Sequence, residues 1–345
     1  MKTITAHAAK DLRIEEHPDP TPGAGEVLVA MENGGICGSD LHYYNHGGFG
    51  TVRLKEPMIL GHEVAGRIAA LGDGVAGLEV GQLVAVSPSR PGGTDRYSLE
   101  GLHNHSLGMR FYGSAMPFPH IQGAFRELLV AEASQCVVAD GLTPAEAAMA
   151  EPLAVVLHAA KQAGDLMGKH VLVTGCGPIG LLAVLVARAA GAVQIVATDI
   201  TPFTLAKARE LGADHTVNVV DTPDGLDPFT ADKGHFDVLF ECSGVASALA
   251  SAVPAMRPCS TIVQLGLGGD MTLPVQAMTA KELVFKGSFR FHFEFATAVE
   301  MMQAGRINTA PLVTQVLPLN DAIAAFDLAS DRTQAIKVQL AFQTG

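Results

Sequence analysis

Basic charge is scarce in this chain: 23 Lys and Arg stand against 35 Asp and Glu in 345 residues, a formal net charge of −12. Nothing in that balance draws a polyanion to the surface by counterion release, so nucleic acid is excluded as an expected partner. Long unbroken apolar runs are also lacking. The run of most interest, Val171 to Ala187, is interrupted by Gly175, Gly177, Pro178 and Gly180, which suits a buried strand, turn and helix rather than a membrane span. The opening MKTITAHAAKDLRIEE turns charged before the apolar core of a secretory signal can form, and a cytoplasmic address is expected. Cysteines are few: Cys37, Cys136, Cys176, Cys242 and Cys259 are an odd number with no CxxC pair, which excludes a disulfide framework and suits reduced, buried or ligand thiols. There is no internal repeat and no low-complexity linker.

What is present is apolar material for more than one core. At 48% hydrophobic and 17% charged residues the chain is globular, and its length predicts two domains. The fold class expected is α/β plus irregular β. Residues 24–140 are short apolar runs, Val27–Met31, Ile59–Ala70, Leu83–Val86, Phe125–Val130 and Cys136–Val138, separated by Gly, Pro, Asn and Asp. A helix is expected from Thr143-Pro144-Ala145-Glu146, with a Thr cap, Pro at the first helical position and Glu at the third, through Ala163. From His170 on, apolar strands alternate with helices (VLVTG, Ile179–Ala190, QIVATD, Pro202–Leu211, HTVNV, FDVLFECSG, TIVQLG, ELVFKGSF), which predicts a parallel, doubly wound sheet. Two shorter helices near Phe295–Gln303 and Leu319–Ala329 and a final IKVQLAF strand are assigned back to the first domain.

Gly175-Cys176-Gly177-Pro178-Ile179-Gly180 is a GxGxxG directly after an apolar strand and at the start of a helix, where backbone N–H groups can reach a pyrophosphate. Asp199 ends the next strand, placed to accept hydrogen bonds from the adenosine ribose hydroxyls. It would repel a 2′-phosphate, and Ile200 to Thr204 contain no Arg or Lys, so NAD is expected over NADP. A bland glycine-rich turn would not need Asp199.

Cys37-Gly38-Ser39-Asp40, Gly61-His62-Glu63 and Glu151 supply a thiolate, an imidazole and carboxylates, the ligand types of a zinc that keeps one position open for catalysis. Each residue alone is more often packing or surface; the combination is what carries weight. Over nearly its whole length the chain resembles the zinc-dependent medium-chain alcohol and polyol dehydrogenases, through GGICGSDLHYY (34–44), LGHEVAGRI (60–68), VGQLVAV (80–86), AEPLAV (150–155), TGCGPIG (174–180) and FECSG (240–244). RFYGSAMPFPHIQGAF (110–125) and KGSFRFHFEF (286–295) look most like the L-idonate 5-dehydrogenase branch, a relative of the sorbitol dehydrogenases.

The resemblance implies a GroES-like catalytic domain (1–151 and 289–345) and a Rossmann NAD-binding domain (152–288). It implies that Cys37 and His62 bind zinc, with Glu63 or Glu151 supplying the carboxylate, and that Asp40 orients His62. Ser39 would take the substrate proton and His42 relay it to solvent, while His46 is read as a loop residue. Ser243 and Leu265 join the cofactor-side candidates Gly175, Gly177, Pro178, Ile179, Gly180 and Asp199. Relatives form dimers or tetramers, so a homo-oligomer is expected.

Many relatives carry a second, structural zinc on four cysteines. Here Gly92, Asp95, Ser98 and Ser106 occupy those positions, so one zinc per chain is expected, with the 90–110 lobe held by packing or subunit contacts and His103 and His105 solvated. A sugar-acid substrate needs a cation for its carboxylate; Arg290 is the first candidate, Arg110 and His120 follow, and an NAD pyrophosphate contact is the competing role for Arg290. Tyr43, Phe111, Phe118 and Phe291 are candidate pocket walls or packing. The implied reaction is reversible, NAD-linked oxidation of L-idonate to 5-keto-D-gluconate. Neutral polyol oxidation and a non-enzymatic NAD-binding structural role are the alternatives.

Overall fold

In EVLVAMENGG the apolar side chains alternate, and the segment forms strand β3 (Glu26–Gly35) with Val27, Val29 and Met31 on its buried side. The computed structural model describes residues 1–342; the end of the tail expected in the first domain, 343–345, lies outside the described residues. Before β3 come β1 (Lys2–Ala8) and β2 (Asp11–Glu16); after it come α1 (Gly38–His46), β4 (Glu63–Leu71), β5 (Leu83–Val86), β6 (Leu128–Glu132) and β7 (Cys136–Val138). The expected run Ile59–Ala70 is split: Met58–Ile59 pairs with β1, and the chain turns through Leu60–His62 before β4 begins.

The expected helix from Pro144 through Ala163 is two helices, Pro144–Ala147 and α2 (Ala150–Ala163). The Thr143–Glu146 capping box forms as expected. At Met149 the bonding tightens onto the Glu146 carbonyl, and Pro152, which has no N–H to give to Ala148, is tolerated because it falls in the first turn of a new helix.

The chain then runs β8 (His170–Thr174), α3 (Pro178–Ala189), β9 (Gln194–Asp199), α4 (Pro202–Glu210), β10 (His215–Asn218), β11 (Phe236–Glu241), β12 (Met256–Gln264) and β13 (Val284–Gly287). It continues through α5 (Glu294–Gln303), β14 (Val313–Pro318), α6 (Ala322–Ser330) and β15 (Lys337–Ala341).

Two units result. Met1–Ala154, Phe291–Asp331 and the described residues from Lys337 form one; Val155–Arg290 with Arg332–Ile336 form the other. In the first, a seven-stranded sheet runs β7-β5-β4-β3-β15-β14 with β6 also paired to β3; all pairings are antiparallel except β14 with β15. In the second, six parallel strands lie in the order β10-β9-β8-β11-β12-β13, so the winding reverses between β8 and β11. That reversal opens a crevice at the carboxyl ends of the two strands, where a dinucleotide binds in such sheets. Leu172, Val196, Phe236, Leu239 and Ile262 build its core.

Candidate active site

Strand register assembles the first site. Gly35, at the end of β3, pairs with Glu63 at the start of β4, so Cys37 just past one strand and His62 just before the other emerge side by side. β15 pairs Gln339 with the same Gly35, which brings Lys337 to that end as well. The ligand atoms of Cys37, His62 and Glu63 lie within 4.8 Å of one another. Glu151, in the first turn of α2, is buried beside them.

Asp40 pins the two ligand-bearing loops. One carboxylate oxygen accepts the Cys37 N–H at 3.0 Å, closing a capping box on α1, and the other accepts the Gly61 N–H at 3.1 Å. Its nearer oxygen is 3.8 Å from His62 Nδ1, too far for a hydrogen bond, and that nitrogen is buried without a partner.

A residue with no motif of its own governs Glu63. Lys337, 2% exposed, donates to both oxygens of Glu63, 1% exposed, at 2.8 and 2.7 Å, and to the Ile36 carbonyl at 3.1 Å. Gly35 makes room: a Cβ there would sit 2.2 Å from a Glu63 carboxylate oxygen. Burial pulls the Lys337 ammonium down, but Glu63, with Cys37 and Glu151 behind it, outweighs that and holds it above its ordinary value. The only hint in the sequence was a lysine inside the apolar IKVQLAF strand.

The donor set fits a soft divalent cation. Burial, then the Glu63 charge, pushes the Cys37 thiol up to about 12, and burial pushes the Glu151 carboxyl up to about 8, partly offset by His62. For both groups burial and the neighbouring anions outweigh the nearby Lys337 ammonium, and a zinc ion would supply the further positive charge that their anions need.

Ser39 and His42 lie three apart on α1, Ser39 half-buried within reach of the Cys37 thiol and His42 exposed. Phe111 packs its ring 5.8 Å from that of His62. Tyr43 is buried, and its hydroxyl accepts the Ala115 N–H at 3.1 Å. Phe118 is 62% exposed. Arg290 belongs to the other unit, its guanidinium 5.0 Å from the Phe289 ring centre. His120 has no ring nitrogen to spare: Nε2 accepts the Lys55 N–H at 2.9 Å, which leaves Nδ1 to donate to the Pro117 carbonyl at 2.9 Å.

The 90–110 lobe closes on a carboxylate. Asp95 accepts the hydroxyls of Ser106 at 2.6 Å and Ser98 at 3.0 Å as well as the Tyr97 and Ser98 N–H groups, while the Gly92 N–H donates to Ser106 Oγ at 3.0 Å. All four positions expected to have lost cysteines thus join one hydrogen-bonded cluster. His103 departs from the expected solvated state: it is half-buried, with its ring 4.7 Å from His292 and 4.8 Å from Phe293, because the lobe packs against the start of α5.

In the second unit Gly175 (φ +83°) and Gly180 are required by the protein itself. A Cβ on the first would meet Ser243 at 2.8 Å, and one on the second the Gly175 carbonyl at 1.8 Å. Gly177 is different: its φ is −69° and a Cβ there would meet nothing within 4 Å. A bare position at the start of α3 with no internal cause leaves space for a ligand phosphate. Pro178 and Ile179 open α3 behind it. Asp199 accepts the Cys176 N–H and the Ile200 and Thr201 N–H groups, which ties the end of β9 to the glycine motif.

Residues 23–141 match the alcohol dehydrogenase GroES-like domain family, and residues 178–304 match the zinc-binding dehydrogenase family. The chain belongs to the zinc-binding medium-chain dehydrogenases. It is 45% identical to L-idonate 5-dehydrogenase (NAD(P)(+)) of Escherichia coli K12, over 92% of each chain. To sorbitol dehydrogenase of Gallus gallus it is 37% identical, over 98% of this chain and 95% of that one. The crystal structure of L-idonate 5-dehydrogenase from E. coli K-12 superposes with a TM-score of 0.95 at 42% identity, covering 99% of this chain and 98% of the other. This dehydrogenase therefore has a GroES-like and a Rossmann-like part, as the sequence implied. No helix among its described residues is long and apolar enough to cross a membrane.

Proposed function

We infer that this dehydrogenase oxidises a secondary hydroxyl of a sugar acid with NAD, L-idonate to 5-keto-D-gluconate, reversibly. The observation that carries the reading is the convergence of Cys37, His62 and two carboxylates in a chain 45% identical to an L-idonate 5-dehydrogenase. Bound at this cluster, zinc would supply Lewis acidity toward the substrate hydroxyl, and NAD in the second unit would supply the hydride acceptor. Cys37, His62 and Glu151 hold the metal, and Lys337 keeps Glu63 engaged beside it. Ser39 takes the hydroxyl proton and His42 hands it to solvent. Asp40 keeps the two ligand loops in register. Arg290 grips the substrate carboxylate, Phe111 forms a wall, and Tyr43 and Phe118 are the further substrate-side residues.

Gly175, Gly177, Pro178, Ile179, Gly180, Asp199, Ser243 and Leu265 hold the dinucleotide. Asp199, with no cation in 200–204, favours NAD over NADP. One zinc per chain is the reading that the hydrogen-bonded cluster of Gly92, Asp95, Ser98 and Ser106, with no thiol among them, supports. Homodimers or homotetramers are supported by β13, an edge strand exposed along its length with Val284 and Phe285 half open to solvent. A cytoplasmic address completes the reading. The likeness to sorbitol dehydrogenases keeps a neutral polyol as the second substrate class, whereas a purely structural role needs none of Cys37, Ser39, His42, His62 or Glu151.

The test is NADH formation from L-idonate, sorbitol and D-gluconate at equal concentration, with and without a chelator. Chelator-sensitive turnover of L-idonate alone is expected. Preference for sorbitol transfers the assignment to polyols and removes the role of Arg290; NAD binding without any turnover leaves the structural reading.

A further inference from the structure

Glu241 is a further buried carboxylate, outside the metal cluster and with no part in the scheme above. It ends β11 and is 0% exposed. Its oxygens accept from the Thr174 hydroxyl at 3.3 Å, the Ser243 N–H at 2.9 Å, the Ser243 hydroxyl, the Gly244 N–H at 3.0 Å and the Gln264 side-chain amide. The Ser243 and Gly244 N–H groups and the Gln264 amide can only donate, and between them they reach both oxygens, the pattern of an ionised carboxylate. Among the described residues no Lys, Arg or His pairs with it.

Its donors come from three strand ends. Thr174 closes β8 and leads into the glycine motif; Ser243 and Gly244 follow β11; Gln264 closes β12 ahead of Leu265, whose N–H bonds the Glu241 carbonyl at 2.8 Å. These ends flank the reversal of winding between β8 and β11. Asp199 at the end of β9 marks the adenosine side of the crevice, so the nicotinamide half of a dinucleotide lies toward β11 and β12.

We propose that Glu241 is a positioning residue whose five donors lock the three cofactor-facing loops together, and whose uncompensated charge under the nicotinamide half favours the oxidised, cationic ring over the neutral reduced one. The inference rests on the NAD reading above. The carboxylate charge remains because hydrogen bonds satisfy it without neutralising it, and because Glu241 itself is fully buried its charge is weakly screened and acts at range on a ring that carries +1 only when oxidised.

The test is binding to the full-length, zinc-loaded protein of NAD+ and ADP-ribose by calorimetry and of NADH by its own fluorescence, which no tryptophan of this chain obscures. In Glu241→Gln, NADH and ADP-ribose, neither with a charged ring, weaken together by whatever the loops lose. NAD+ weakens further, raising the NAD+/NADH dissociation-constant ratio about three- to tenfold. A ratio within twofold of wild type, whatever the absolute affinities, overturns the proposal. Gln264→Lys keeps the carboxylate and sets an ammonium beside it; it must move the ratio the same way, and it decides the matter if Glu241→Gln does not fold. Wild-type protein that binds none of the three ligands overturns the cofactor reading itself.

Discussion

Replacing Lys337 by Met tests the reasoning about the metal cluster most directly, because it leaves Glu63 in place, 1% exposed, with its only cation gone. Breaking a buried ion pair by removing one partner costs about 3–5 kcal/mol. A loss of that size lowers Tm by roughly 6–20 °C for a unit of this size. The assay is thermal unfolding of metal-free protein, so that zinc affinity does not add to the result. Lys337→Met/Glu63→Leu removes both charges and should recover most of the loss, since apolar replacement of a buried pair is often neutral. A single variant that melts within about 2 °C of wild type at pH 7, or a double variant that melts as low as the single, refutes the argument.

Three further outcomes are expected. Glu151, at about 8 when folded against an ordinary 4.5, makes metal-free wild type lose stability as pH rises from about 4.5 to 8 and level off above; Glu151→Gln should flatten that slope in melting curves and weaken zinc binding in a chelator competition. Gly177→Ala should leave Tm nearly unchanged, because its Cβ meets no protein atom, yet raise the NADH dissociation constant at least about tenfold; equal binding would remove the phosphate from that position. Hydrogen bonds from Ser106 and then Ser98 hold the Asp95 carboxyl down to about 2, so the lobe's cluster persists above about pH 4 and is lost as pH falls toward 2. Asp95→Ala should therefore abolish hydrogen-exchange protection across 92–106 at pH 7, with the zinc content the same as that of wild type.

How far the site was legible depended on how far apart its parts lie in the chain. The glycine motif, Asp199 and the Thr143–Glu146 cap are local patterns governed by backbone rules, and they appear where the sequence placed them. The break at Ala148–Met149 was missed because the apolar pattern continues across it while Pro152 cannot complete the hydrogen bonding. The sequence reads His103 as a solvated loop residue because nothing local announces that His292 and Phe293, at the start of α5, come to it.

By itself, then, the sequence determined the two textures, the glycine turn between β8 and α3, and the ligand types at Cys37, His62, Glu63 and Glu151, with the choice between the two carboxylates left open, since each needs only residue identity and short-range geometry. Tertiary structure alone decided which charges meet. Lys337 reaches Glu63 across 274 positions through the register of β15 on β3, Asp95 gathers two hydroxyls from Ser98 and Ser106, and Glu241 collects donors from three strand ends. The physical reason is that a buried charge must be satisfied by whatever groups long-range pairing brings to it, and that pairing is a property of the whole sheet rather than of any one segment.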